Sequence, residues 1–219
     1  LQLIARHPDI MNANEPPRQW LTRWKDRRPS ELVLSIGRVV DQKIPLFLEA
    51  VKGQSSALRA ILEYLGPDSL FIMLGNGDEV LEQELVEIAK VSDNFLFLRG
   101  YADDLSGPLY SIADLFLMPS SFEPCGISQM LSMREGHPCV VHAVGGLKDT
   151  VKHGQTGFVF NGELLTEKAS NFVQCVKDAI SLKRKNPSQW QKICSNAAAQ
   201  RFSWPIAAQG YMETLYQND

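Results

Sequence analysis

Six short runs of almost wholly apolar residues alternate with segments of helical spacing along most of the chain. They lie at residues 32–36, 70–74, 94–98, 115–118, 138–142 and 157–160. Runs that are apolar at every position are typical of strands buried on both faces, and their alternation with helices predicts a parallel sheet. The sequence therefore predicts a doubly wound α/β domain. Helical segments at about 166–185, 187–201 and 204–217 predict a helical C-terminal tail.

Glycines follow directly on several of the predicted strands. They are Gly37, Gly75, Gly77, Gly100, Gly145 and Gly146. The carboxyl ends of parallel strands lie at one edge of a sheet, where the backbone turns tightly or approaches a ligand. We therefore expect the ligand site of this domain at that edge.

One carboxylate, Glu123, lies in the loop after the fourth predicted strand. Its neighbours in Phe122-Glu123-Pro124-Cys125-Gly126 are apolar or small, and Gly126 and Ser128 open a predicted helix. The first N–H groups of a helix have no partner inside the helix and suit a phosphate. Glu123 fits a carboxylate that binds sugar hydroxyls or stabilises positive charge at an anomeric carbon. The alternative is a carboxylate that caps the helix.

Two cations, Arg38 and Lys43, flank the loop after the first predicted strand. A planar guanidinium fork and a mobile ammonium together suit a diphosphate, although two ordinary surface cations would show the same pattern. Tyr101 follows the third strand, where a tyrosine either stacks on a flat base or faces the core. The turn at residues 75–78 lacks the glycine spacing of a dinucleotide fingerprint, so it predicts no nicotinamide cofactor.

The composition limits the partners of the chain. A net charge of −3 and a pI near 5.9 give no basic footprint for nucleic acid or an anionic membrane. The apolar runs are too short for a membrane span and no leader is recognisable, so we predict a cytoplasmic protein. The four cysteines and four histidines lack metal-ligand spacing, which predicts isolated thiols and no metal site. Residues 1–30 are weakly patterned and predict a linker or N-terminal extension before one domain at 31–219.

Together these segments resemble the C-terminal domain of bacterial glycogen synthases and plant starch synthases. Those enzymes are retaining glucosyltransferases of the two-domain GT-B fold, whose halves are Rossmann-like. The resemblance covers about residues 31–217, and Glu123-Pro124-Cys125-Gly126 is its most specific part. The other matching segments are residues 37–43, 74–78, 100–101, 113–120, 145–151, 156–158 and 202–216.

The resemblance implies roles for individual residues. Arg38 and Lys43 would hold the donor's diphosphate beside Gly37 and Gly75, and they would neutralise the leaving nucleoside diphosphate. Tyr101 would stack on the adenine of ADP-glucose, and Glu123 would face the donor glucose. The backbone that would receive sugar hydroxyls and phosphate belongs to Cys125, Gly126, Ile127 and Ser128. Glu123, Arg38 and Lys43 are thus the expected catalytic residues.

The implied reaction moves glucose from ADP-glucose or UDP-glucose to the 4-hydroxyl at the non-reducing end of an α-1,4-glucan. No metal or other cofactor is expected, because cationic side chains and helix N-termini would carry the charge. The acceptor site and a catalytic histidine would come from an N-terminal domain that these residues do not supply. We therefore expect the chain alone to be inactive in transfer.

Three positions depart from the wider family pattern. Ile44 stands where glycine usually follows Gln-Lys, which predicts a stiffer phosphate loop, and Val144 replaces a threonine. Leu131 removes the second glutamate of related transferases, as is usual in bacterial glycogen synthases. The first two leave open a GT-B transferase with another sugar donor or acceptor. A non-catalytic nucleotide-sugar-binding domain is the other alternative, and the intact charge pattern of Arg38, Lys43 and Glu123 argues against it.

Overall fold

A six-stranded, fully parallel sheet forms the centre of the protein. The structure is a computed structural model that describes residues 4–7, 10, 24 and 27–216. Within them the strand order is β3-β2-β1-β4-β5-β6. The strands are β1 (Leu32–Ile36), β2 (Leu70–Gly75), β3 (Phe95–Arg99), β4 (Leu115–Met118), β5 (Cys139–His142) and β6 (Gly157–Phe160). The predicted doubly wound α/β fold is confirmed.

Helices connect the strands and cover both faces of the sheet. They are α1 (Pro45–Leu48), α2 (Ala57–Leu65), α3 (Glu79–Lys90), α4 (Asp103–Ile112), α5 (Ser128–Arg134), α6 (Gly145–Thr150), α7 (Leu165–Lys185), α8 (Pro187–Ala199) and α9 (Trp204–Tyr211). Side-chain caps mark several starts: the Ser56 hydroxyl accepts from the Arg59 N–H at 3.3 Å, and Asp78 accepts from the Val80 N–H at 2.9 Å. The spacing of apolar residues over 45–65 predicts a helix with a break near Gly53. The observed interruption is longer, because Gly53 turns the chain with φ +83° and Ser56 starts a new helix.

The sheet separates two hydrophobic cores because successive strand residues point to opposite faces. In β2, Phe71 and Met73 belong to one core, whereas Leu70 and Ile72 belong to the other. The first core is closed by α1, α2, α3, α7 and α8, and the second by α4, α5 and α6. Both faces are therefore buried, which explains the wholly apolar strands.

The two ends of the chain behave differently. Ile4, Ile10 and Trp24 are buried against the second core, so parts of the predicted extension pack on the domain; its assignment as a linker stays a prediction. The sequence also predicts a short helix capped by Asn14 and containing Trp20, and this segment lies outside the described residues. At the other end α9 leads into a π-helical turn, Met212–Tyr216, and every residue from 201 to 216 is exposed. The helical tail is confirmed, but its last helix takes no part in either core.

The position of the site follows from the strand order. The chain winds from β1 outward through β2 to β3 and then returns to β4 on the other side of β1. Leu34 of β1 thus lies opposite Ile72 of β2 and Phe116 of β4. In open α/β sheets the loops at such a switch point diverge and leave a crevice for ligands. Here the diverging loops are residues 37–44 after β1 and 119–127 after β4.

Candidate functional site

The loops that follow β1 and β4 are tied to each other by hydrogen bonds. The Ser121 N–H donates to the Gln42 carbonyl at 2.7 Å, and the Ser121 hydroxyl donates to the same oxygen at 3.2 Å. The Ser128 hydroxyl, at the start of α5, donates to the Ile36 carbonyl at 3.4 Å. The two loops therefore form one wall at the switch point.

Lys43 and Glu123 meet at this wall. The Lys43 ammonium nitrogen lies 3.0 Å from Glu123 Oε2, and the two side chains are 21% and 14% exposed. The Lys43 stem crosses Gly37, where an added Cβ would lie 3.5 Å from Lys43 Cδ. Such a partly desolvated pair at the carboxyl edge of the sheet can bind anionic groups through the ammonium and hydrogen-bond donors through the carboxylate. The structure thus brings together three of the predicted site residues.

The end of β2 packs against the β1 loop through glycines. A Cβ on Gly75 would lie 2.0 Å from the Gly37 carbonyl oxygen, and one on Gly77 would lie 2.1 Å from the Val39 oxygen. The Gly77 N–H donates to Glu82 Oε1 at 2.5 Å, and the other oxygen of this buried carboxylate pairs with Arg99. The β2 glycines therefore allow two strand-end loops to touch, which is a sufficient structural reason for them.

A second pair of glycines supports the Glu123 loop from behind. A Cβ on Gly145, whose φ is +41°, would lie 2.0 Å from the Glu123 carbonyl oxygen, and one on Gly146 would lie 2.4 Å from the Cys125 oxygen. The Gly146 N–H donates to the carbonyls of Glu123 at 3.2 Å and Pro124 at 3.1 Å. The sequence places these glycines where the backbone turns tightly or approaches a ligand; in the structure the Gly146 N–H fastens the loop that carries Glu123.

Buried polar residues that sequence reasoning missed also hold this loop. Gln129 is 0% exposed on α5, and its amide nitrogen contacts the carbonyls of Cys125 and Gly126 at 3.1 and 3.0 Å. His142, at the end of β5, is buried with Nδ1 3.0 Å from the Ser120 carbonyl. Burial lowers the pKa of His142, which favours the neutral ring. The signal that could have identified them in the sequence was a polar residue at the end of an apolar strand, as for His142, or in the first turn of a helix, as for Gln129.

The remaining predicted residues lie on the open side of the wall. Arg38 is exposed and makes no hydrogen bond or ion pair with the rest of the described chain. Tyr101 is 77% exposed, and its hydroxyl donates to Asp103, an interaction that raises the pKa of the tyrosine. Cys125 and Ile127 are exposed as well. The Arg38 side chain and the exposed Tyr101 ring are therefore open to a ligand.

The two family departures near the site are accommodated without strain. Ile44 is 4% exposed, belongs to the first core and has φ −98° and ψ −32°, an ordinary conformation for a β-branched residue. Val144 precedes α6 in an extended conformation and packs partly against the second core. Neither residue places its backbone where only glycine is tolerated, so the loop keeps its shape with both.

Other chemistry is not built into the described residues. No group of three or more histidine, cysteine, aspartate or glutamate side chains among them is arranged to hold a metal ion. Burial raises the pKa of the Cys139 and Cys175 thiols to about 12, which leaves them protonated. No helix of the described part combines the length and apolar character needed to cross a bilayer. A groove of about 670 Å³ lies away from the switch point, between α2 and α3.

Comparison with known proteins gives a consistent match. Residues 20–192 match the family Glycosyl transferases group 1. The chain is 36% identical over 191 residues to the glycogen synthase of Nitrosospira multiformis, covering 80% of this chain and 38% of that protein. It is 33% identical over 217 residues to the glycogen synthase of Desulfitobacterium hafniense, covering 93% of this chain and 46% of that protein.

A solved structure agrees with these relatives. The catalytic domain of starch synthase IV from Arabidopsis thaliana, bound to ADP and acarbose, superposes with a TM-score of 0.70 at 26% identity. The alignment covers 93% of this chain and 41% of that one. The chain thus spans less than half the length of the relatives it matches, and it corresponds to their C-terminal part.

Proposed function

The chain belongs to the group 1 glycosyl transferases, and from that premise we propose that it is the donor-binding part of a retaining glucosyltransferase. The donor is a nucleoside diphosphate glucose, ADP-glucose or UDP-glucose. The acceptor is the non-reducing end of an α-1,4-glucan. The observation that carries the proposal is the Lys43–Glu123 pair at the β1/β4 switch point, 3.0 Å apart and largely shielded from water.

The charges at the switch point suit this donor. When the bond between the anomeric carbon and the β-phosphate oxygen breaks, its electrons leave on the nucleoside diphosphate. In this proposal Lys43 and Arg38 neutralise that charge, and no metal ion or other cofactor takes part; the position of Lys43 beside Glu123 and the exposure of Arg38 support it. Glu123 lies beside Lys43, so a ligand whose diphosphate meets the ammonium group presents its sugar to the carboxylate. Both halves of a nucleotide sugar then find a partner.

Tyr101 and the start of α5 extend the proposed site in two directions. The exposed Tyr101 ring at the end of β3 offers a face on which the base can stack. The residues before α5 place backbone groups near Glu123, and Ile127 provides no side-chain cap for the first turn. The proposed order along the switch point is thus base at Tyr101, diphosphate at Arg38 and Lys43, and glucose at Glu123 and residues 125–128.

The exposed apolar residues fit a second domain that covers this edge. Phe122 and Ile127 are 60% and 66% exposed in the loop that carries Glu123. Large apolar side chains grouped at a surface mark contact sites. We infer that the acceptor site and the catalytic histidine belong to an N-terminal half, and that the 219-residue chain alone does not transfer glucose. A cytoplasmic location stays a prediction.

Calorimetric titration tests the donor assignment. We expect the chain to bind ADP, ADP-glucose and UDP-glucose with measurable heat. We expect Arg38→Ala and Lys43→Met each to weaken binding by about tenfold or more, the usual worth of a charge-assisted hydrogen bond. Lys52→Met is the matched control because Lys52 is exposed and forms no ion pair within the described residues. Unchanged affinity in both site variants would refute the assignment, and binding of UDP-sugars alone would fix the donor as UDP-linked.

A further inference from the structure

Gln129 is a polar residue whose side chain lies entirely out of contact with solvent. Its side chain is completely buried at the second residue of α5, directly behind the loop that carries Glu123. The amide nitrogen lies 3.1 Å from the Cys125 carbonyl, 3.0 Å from the Gly126 carbonyl and 3.2 Å from the Thr150 hydroxyl. A buried polar group is costly unless it is hydrogen-bonded. Here the amide nitrogen bonds the loop itself and Thr150, whereas the buried amide oxygen has no hydrogen-bond partner within the described residues.

Thr150 continues the connection into α6. Its hydroxyl donates to the Gly146 carbonyl at 2.7 Å, which leaves an oxygen lone pair to accept from Gln129. The Gly146 N–H in turn donates to the Glu123 and Pro124 carbonyls. The hydrogen bonds therefore run in a closed circuit from the loop through Gln129, Thr150 and Gly146 back to the loop.

The circuit holds the loop from the side of α5 and α6. Phe122 and Ile127 of this loop are 60% and 66% exposed, so they add little apolar packing. Gly126 fits closely against Gln129, since a Cβ on this glycine would lie 2.5 Å from Gln129 Oε1. The position of the Glu123 backbone is thus set from behind, by polar contacts of defined direction rather than by apolar packing.

We propose that Gln129, acting with Thr150, is a positioning residue that holds the Glu123–Gly126 loop in the geometry needed to bind the sugar end of the donor. This inference rests on the proposed function. Lys43, Arg38 and Tyr101 are carried by other elements, so losing the circuit impairs recognition of the sugar more than recognition of the diphosphate and base. That selectivity distinguishes positioning from a general contribution to stability.

The test compares the dissociation constants of ADP and ADP-glucose, and of UDP and UDP-glucose, for the chain and its variants by calorimetry. Gln129→Met keeps the length of the side chain and removes its donors, and Thr150→Val keeps the shape and removes the hydroxyl. We expect each to weaken nucleotide-sugar binding by about fivefold and diphosphate binding by less than about twofold. Thr150→Ser, which retains the hydroxyl, is expected to restore the wild-type ratio.

Controls separate the possible outcomes. Gln174→Met is the matched control, because Gln174 is exposed on α7 and its amide bonds Asp178 of the same helix at 2.9 Å. If Gln129→Met does not fold, the Thr150→Val and Thr150→Ser pair decides the question. Equal losses for sugar and diphosphate, or none, would overturn the positioning role while the proposed function stands. If the wild-type chain binds neither ligand, the proposed function fails and the positioning role with it.

Discussion

Replacing Gly146 with alanine tests how closely α6 lies against the Glu123 loop. The added Cβ would lie 2.4 Å from the Cys125 carbonyl oxygen, 2.7 Å from its Cα and 2.9 Å from its carbonyl carbon. All three are backbone atoms, so no side chain can rotate away to relieve the overlap. The loop or the helix must therefore move, and the move breaks the hydrogen bonds that the Gly146 N–H donates to Glu123 and Pro124.

The expected cost follows from these contacts. Forcing an extra carbon into a closely packed site costs about 1–3 kcal/mol, whereas alanine in place of glycine stabilises a helix by up to about 1 kcal/mol. We therefore expect Gly146→Ala to lower the free energy of unfolding, by up to about 2 kcal/mol after the two effects offset each other. Because the loop carrying Glu123 is displaced, nucleotide-sugar affinity should fall as well.

Gly210→Ala is the matched control for this substitution. Gly210 lies inside α9, is exposed and is followed by no proline, and an added Cβ there meets no non-neighbouring atom within 4 Å. Alanine there should leave the free energy of unfolding unchanged or raise it by up to about 1 kcal/mol. Urea unfolding at pH 7 measures both variants against the wild type. A Gly146→Ala protein as stable as Gly210→Ala would show that α6 does not press on the loop, and the reasoning would be wrong.

Three further predictions concern stability, pH and activity. Arg184→Met leaves the buried Glu31 carboxylate without its guanidinium, and unfolding by urea should show a loss of about 1–3 kcal/mol. Burial raises the pKa of Glu31, but the hydrogen bonds from Arg184 and Ser69 outweigh this effect and lower the pKa below 4.5. The stability that Arg184 contributes should therefore be present above pH 4.5 and fade below it. A loss of stability in Arg184→Met that stays constant down to pH 3 would contradict this. Burial lowers the pKa of His142 below 6.5, so the folded protein loses stability when this ring is protonated. Acidification from pH 7.5 to 5.5 should therefore lower the free energy of unfolding less in His142→Asn than in the wild type. Parallel curves of unfolding free energy against pH would contradict this prediction. Glucan extension by the isolated chain, followed with labelled ADP-glucose, should be undetectable, and robust extension would disprove the need for a second domain.

The fold could be predicted because its signals are local. The strands are almost wholly apolar, and each strand bound predicted from the sequence lies within one residue of the observed one. The predicted ends of the helices are less accurate: the helix predicted over 187–201 ends at Ala199. The segment at 45–65 was harder, because the non-helical stretch between α1 and α2 depends on the Gly53 turn and the Ser56 cap together.

The site could be predicted only in part. Residues at strand ends share one edge in any parallel sheet, which is why Lys43 and Glu123 were expected to meet. The supporting residues were not foreseen, because the contacts of Gln129 and Thr150 span 21 residues and depend on how α5 and α6 pack. The glycines at 145–146 show the same limit: their position after a strand is typical of a turn that approaches a ligand, whereas the closeness of the Cys125 backbone gives them a structural reason.

Backbone amide shift mapping with ADP-glucose and UDP-glucose tests the central claim most directly. If the donor binds at the β1/β4 switch point, the perturbed amides should cluster at residues 37–43, 100–103 and 122–128, with smaller shifts at 145–146. The groove between α2 and α3, lined by Arg59 and Glu84 among others, should stay unperturbed. Shifts concentrated in that groove, or no shifts with either sugar, would contradict the assignment of this edge as the donor site.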